Sequence, residues 1–302
     1  MITIKPRLLA SPYSDHLIVT RGKQCEVLYP LSKLPPPPAF EHLIMGAGIT
    51  QLYEDEIKLF VYSEYEILGI LLFPGGYDPI YRTKLKAKIN CLSFDGTMAK
   101  MFATTSQSAY FVNFSLQQRI VLPSGPHRQY DISDVWDFGP KTHTPVTWTQ
   151  GCQQVLIDNY LYEFNECSRV LSVINIKENM TKSELGDYDS SPLIKQQGDQ
   201  LLVGYKYNAG FFVDVYRHGE YQVSHPVESS GLQQLDDVSV GKDSLCLLDS
   251  QLCKIVVQYF GPSFPSCYHV PSGGVILGVC HSAGSIYYLF EHGSHASVKK
   301  LT

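Results

Sequence analysis

Apolar and polar positions along this 302-residue chain alternate in short bursts, without sustained helical periodicity. A run of β-branched and aromatic residues is followed by a polar turn and then by a second such run. The clearest copies are His16–Tyr29, Lys58–Ile70, Ser108–Val121, Asn159–Val173, Ala209–Val223, Ser244–Val257 and Ser285–Val298. In the fourth copy Leu161, Glu163 and Asn165 alternate with Tyr160, Tyr162 and Phe164, the two-residue period of a strand. The pattern predicts antiparallel hairpins along the whole chain.

The hairpins begin roughly 35–51 residues apart, and a repeat near 40–50 residues built from hairpins is the signature of a β-propeller. Shorter apolar strands precede most of them: His42–Tyr53, Ile89–Phe94 with Met98–Thr104, Val146–Ile157, Leu193–Lys195 with Leu201–Tyr207, Leu232–Val240 and Gly274–Cys280. The expected fold is all-β: one domain over residues 1–302, a single seven-bladed β-propeller of four-stranded antiparallel blades. Such a ring must protect its ends from edge pairing, so Ile2–Lys5 is expected to pair within or beside the last repeat. Three connections interrupt the rhythm. Ser32–Phe40 holds Pro35–Pro38, read as a rigid spacer. Pro123–Pro145 reads as a long link, and the polar stretch Asn175–Pro192 as a mobile loop or short helix.

Composition sharpens this reading. Hydrophobic residues make up 44% of the chain and charged ones 18%, enough apolar material for a full core. Twenty Tyr and fourteen Phe favour strands over helices. A net charge of −5 gives no global field towards nucleic acid or anionic membrane. Met1–Leu9 lacks the apolar stretch of a signal peptide, and no apolar run is long enough for a transmembrane helix. None of the eight cysteines forms a Cys-x-x-Cys pair. Several lie in apolar runs, where a thiol acts as a small hydrophobe. Cys91, Cys246 and Cys253 are therefore expected to be reduced and buried, in an intracellular protein. The sequons at Asn113 and Asn179 point the other way.

Few residues suggest chemistry. Arg82, Lys84, Lys86 and Lys88 alternate with Thr83, Leu85 and Ala87, so one strand would carry all four charges on one face. They are the candidate partner-binding residues, weighed against a charged strand that only blunts edge pairing. His281, His292 and His295 lie close in sequence, but the last two fall at a turn without matched carboxylate or Cys partners. Phe73–Asp78 contains two glycines without the Lys-Ser/Thr of a phosphate loop, and reads as a tight turn. Asp55, Asp158, Asp214, Asp243 and Asp249 recur near hairpins, where aspartates bond turn backbone more often than they act as acids. No catalytic, cofactor or metal residue is assigned.

Met45–Gly69 and Trp148–Asn165 resemble repeats of the regulator-of-chromosome-condensation family. Of that family's Trp-Gly and Gly-Gln-Leu-Gly signatures, Leu68-Gly69 alone is present. Trp136-Asp137 is similar to the dipeptide of the WD-repeat propellers. These resemblances imply a degenerate seven-bladed propeller and carry over no functional residue. The expectation is a non-catalytic intracellular interaction scaffold, a subunit of a multiprotein complex. Its partners would be other proteins, with no cofactor, no nucleic acid and no membrane insertion. The first resemblance implies an alternative, a guanine-nucleotide exchange factor for a small GTPase. An enzyme with acids and histidines facing a central funnel is the third reading weighed.

Overall fold

The structure, a computed structural model, describes residues 7–10, 17–28, 37, 39–53, 56–85, 88–94, 100–105, 109–122, 125–137, 152–175, 182–208, 210–227, 231–261, 265–270, 273–282, 284–293 and 295–301. Consecutive strands build consecutive antiparallel sheets. The first holds β1 (Arg7–Ala10), β2 (Leu17–Arg21) and β3 (Gln24–Leu28). The second holds β4 (Gly46–Tyr53), β5 (Glu56–Tyr62), β6 (Glu66–Phe73) and β7 (Gly76–Lys84). The third holds β8 (Ile89–Phe94), β9 (Lys100–Thr105), β10 (Ala109–Leu122) and β11 (Gly125–Asp137). The fourth holds β12 (Cys152–Ile157), β13 (Tyr160–Asn165), β14 (Val170–Asn175) and β15 (Lys182–Asp187). The fifth holds β16 (Leu193–Gln197), β17 (Gln200–Tyr207), β18 (Gly210–Arg217) and β19 (Glu220–Val227). The sixth holds β20 (Asp237–Val240), β21 (Ser244–Asp249), β22 (Lys254–Tyr259) and β23 (Ser266–His269). The last holds β24 (Val275–Ser282), β25 (Ser285–His292) and β26 (His295–Lys300).

This is a single all-β propeller with four-stranded antiparallel blades. It shows five such blades, not the seven expected, because the repeats at either end each contribute three strands among the described residues. First strands of neighbouring sheets lie together: β8 by β12, β16 by β20, and β20 by β24. β1 in turn lies beside β24. Ile2–Lys5, expected at that junction, falls outside the described residues. No helix among the described residues is long and apolar enough to cross a membrane.

Alternation along single strands explains the stacking. On β17, Leu201 and Val203 join a core with Tyr162, Phe164 and Val173 of the fourth sheet. Leu202, between them, joins Val238, Leu245 and Leu247 of the sixth. On β21, Leu245 and Leu247 face back to the fifth sheet, while Cys246 and Leu248 join Ile276 and Val279 of the last. A strand whose two faces both meet sheets has no polar face, so β21 is buried throughout. The fourth strands β15 and β19 are largely exposed edges.

That edge role corrects two sequence expectations. Asn175–Pro192 supplies the outer strand β15, whose Ser183 and Lys182 pair with Val173 and Ile174. Its polarity marks an edge, not a loop or helix. Pro123–Pro145 likewise contains β11, paired with β10. Within the proline run only Pro37 lies among the described residues. The turn expected at Phe73–Asp78 joins β6 to β7, and Gly75 there has φ 95°, a conformation that suits glycine.

Candidate functional site

The basic stripe is split by the fold. Arg82 and Lys84 share a face of β7, but the strand ends at Lys84. Backbone N–H groups of Leu85 and Ile89 then bond the carbonyls of Tyr65 and Glu64, turning the chain towards β8. Lys88 therefore lies off the strand and pairs with Glu64, while Lys86 falls outside the described residues. Arg82 donates through Nε to Glu66 and through Nη2 to Glu41 at 3.1 Å. These hydrogen bonds, Glu66's first, raise the Arg82 pKa, as the bond to Glu64 raises that of Lys88. The four charges do not form one continuous face; Lys84 stands exposed between two ion-paired neighbours.

Arg82 also borders a cleft of about 160 Å³, open to solvent, between the loop over residues 39–44 and the second sheet. Its apolar wall is Phe40, Ile44, Val61 and Leu68, and its rim Glu41, His42, Glu66 and Arg82. The loop that carries Phe40 and Ile44 is pinned to the β2–β3 turn. Phe40 N–H donates to Lys23 O at 2.9 Å and Ile44 N–H to Gly22 O at 2.8 Å. Donor atoms of Glu41, His42 and Glu66 lie within 4.8 Å of one another. The Arg82 guanidinium already supplies the positive charge those carboxylates need.

A polar ladder that sequence reasoning missed crosses the first strands of the last three sheets. Lys195 on β16 donates from Nζ to Asp237 Oδ1 on β20 at 2.6 Å. The other oxygen, Oδ2, accepts Val279 N–H of β24 at 2.8 Å. Two residues further along each strand the pattern recurs with different chemistry. The Gln197 amide is fixed by β20, taking Val240 N–H on Oε1 at 2.9 Å and donating to Val240 O. Oε1 also accepts the Ser239 hydroxyl at 2.9 Å. With that proton committed, Ser239 Oγ receives His281 N–H at 2.8 Å and His281 Nδ1–H at 3.0 Å. The imidazole therefore carries its proton on Nδ1 and accepts the Ser244 hydroxyl on Nε2, 3.1 Å away. The links Lys195–Asp237, Asp237–Val279, Gln197–Ser239 and Ser239–His281 each span 42 residues. That exact period across the first strands was the signal in the sequence.

Burial, and secondly the Lys195 charge, pull the His281 pKa down to about 4. Its ring packs so close to Gly241 that a Cβ there would lie 2.5 Å from Cδ2. His292 and His295 face each other across the exposed β25–β26 hairpin, away from this ladder, and do not converge with His281. The aspartates divide. Asp249 is fully buried and accepts the backbone N–H groups of Gln233, Gln234 and Leu252, the turn role expected. Asp214 sits mid-strand and accepts the hydroxyls of Tyr188 at 3.2 Å and Tyr205 at 3.4 Å. Asp158 and Asp243 lie in turns, and Asp55 falls outside the described residues.

Cys246 and Cys280 are buried free thiols, as expected for the first of them. Burial pushes Cys280 up to about 12 and Cys246 higher still. Cys253 is in a turn with φ 48°, not in a strand, and is partly exposed. The side chain of Cys91 falls outside the described residues.

No family model matches this chain, and no curated protein matches it. Many solved structures do. The β-propeller domain of Myceliophteria thermophila Cps50 (Swd1) aligns with a TM-score of 0.62 at 8% identity, covering 100% of this chain and 99% of that one. Kluyvelomyces marxianus Hsv2 aligns at 0.57 with 10% identity, covering 95% and 94%. A chain of the mitotic checkpoint complex aligns at 0.56 with 8% identity, covering 100% and 96%. Likeness at such identity speaks for the fold alone, and along its whole length the chain has the fold of a β-propeller.

Proposed function

We propose that this protein is a non-catalytic interaction scaffold, a subunit of a multiprotein complex inside the cell. The observation that carries the reading is the division of labour between ladder and rim. Lys195, Asp237, Gln197, Ser239 and His281 bond one another across sheets, which stiffens the disc. Chemically varied groups, Lys84, Tyr65 and Tyr77 among them, stand exposed on turns and outer strands. A rigid body with a varied rim suits partner binding. Ser244 and His281 have the proton order of a nucleophile and its base, yet the group behind Nδ1 is a hydroxyl, and Lys195 opposes an imidazolium. The pair thus acts as a tie between sheets. Buried thiols favour a reducing compartment. Two of the similar structures also support the reading: one is a propeller domain and one belongs to a named complex. The exchange-factor alternative rests on its resemblance alone.

The two three-stranded sheets complete the ring as its first and last blades in this reading, giving seven. The support is the approach of β1 to β24, which repeats the neighbour relation of β20 to β24.

The test is affinity purification of wild type against a Lys84→Glu, Lys86→Glu, Lys88→Glu variant. The expected result is stoichiometric protein partners with wild type. An acidic partner should be lost in the variant, with an unchanged melting curve and salt-sensitive capture. Partners retained at wild-type levels would reduce the stripe to edge protection. No stoichiometric partner at all would overturn the scaffold reading.

A further inference from the structure

Building on the scaffold reading, we propose that the cleft between the loop over residues 39–44 and the second sheet anchors an extended partner segment. The segment presents a bulky apolar side chain next to a lysine or arginine. The apolar wall is the open end of a core: Ile44 and Val61 are buried members of the cluster that also holds Cys25, Leu59 and Ile70, and Phe40 and Leu68 pack on it. A side chain entering there would extend that core and not merely rest on a surface. The wall is preorganised, since Phe40 and Ile44 are hydrogen-bonded to the β2–β3 turn and Met45 N–H to Tyr62 O at 2.8 Å.

The rim decides the charge. Glu41 and Glu66 share the single guanidinium of Arg82, so the charged groups lining the mouth sum to one excess negative charge when His42 is neutral. Glu66 is held inward, its side chain 16% exposed, whereas Glu41 is 70% exposed and reachable from solvent. A carboxylate has room for more than one donor. Glu41 can therefore keep Arg82 and receive a second cation, which the apolar contact would place beside it. An acidic segment would meet the same two carboxylates and be rejected.

The probes are three short Gly/Ser peptides that differ at two adjacent positions: Phe-Lys, Phe-Glu and Ala-Lys. Each is titrated into methyl-labelled protein and followed by NMR. The Phe-Lys peptide should shift the methyls of Ile44, Val61 and Leu68 saturably. The Phe-Glu peptide should bind roughly fivefold or more weakly, and the Ala-Lys peptide should leave those methyls unmoved. Glu41→Gln should weaken the Phe-Lys peptide several-fold while leaving the Phe-Glu peptide no weaker. Equal binding of all three, shifts confined to other methyls, or no saturable shift would overturn the proposal. If native partners co-purify while the Phe-Lys peptide leaves the cleft untouched, the anchor is wrong and the scaffold stands. Absence of any co-purifying partner counts against the scaffold reading by itself.

Discussion

Lys195 and Asp237 are joined across a sheet boundary, Nζ to Oδ1 at 2.6 Å, and the same carboxylate binds the next sheet through Val279 N–H. One aspartate thus ties three sheets. Its removal leaves the Lys195 ammonium bonded to Val279 O at 3.1 Å but without this counter-charge, and leaves the Val279 N–H without its acceptor, in a largely buried place.

Asp237→Ala should lower unfolding stability by roughly 2–3 kcal/mol, the range for taking the counter-ion from a largely buried charge and leaving a backbone donor unsatisfied. Urea denaturation at neutral pH measures this. A loss below about 0.5 kcal/mol, the scatter of ordinary surface changes, would show that the tie bears no load.

His281 predicts an acid sensitivity. The unfolded chain takes a proton on this imidazole near pH 6.5, whereas the folded protein does so only near 4. The unfolded state binds more protons between these values, so stability is full above roughly pH 6.5 and falls towards pH 4. The slope from this one group is at most about 1.4 kcal/mol per pH unit. His281→Gln should flatten the profile relative to wild type in that window. Parallel profiles would refute the assignment.

Two glycines separate crowding from backbone strain. Gly241→Ala would place a Cβ 2.5 Å from the His281 ring, and Gly284 has φ 69° with nothing within 4 Å of a new Cβ. Gly284→Ala should cost about 1–2 kcal/mol through left-handed backbone alone. Gly241→Ala should cost a comparable roughly 1–3 kcal/mol through overpacking. It alone should also change the His281 NMR signal. An unmoved signal would show that the ring has space to spare.

The thiols should sort by burial. Under native alkylation Cys167 and Cys267, which are exposed, should be modified quickly, and Cys246 and Cys280 only as the protein unfolds. Peptide mass spectrometry with time reads this directly. Early modification of Cys246 would contradict the packing of β21.

The hairpins were legible in the sequence because period-two alternation is a local signal, as Tyr160–Asn165 against Val170–Asn175 shows. Edge strands were not: Lys182–Asp187 is polar precisely where it meets water, and it looks like a loop until its partner Ser172 is known. The basic stripe looks continuous in the sequence, but the hydrogen bonds that end β7 at Lys84 come from Tyr65 and Glu64, far back in the chain. The ladder was hidden for a different reason. Lys195, Asp237 and Val279 share no residue type, and only equal spacing connects them.

The alternation of Leu201, Leu202 and Val203 has a mechanical consequence. Each blade behaves like a voussoir in an arch, wedged by both neighbours and unable to loosen on one side alone. Damage at either face of β17 is thus passed around the circle in opposite directions, and two adjacent point changes on one strand would probe two different joints.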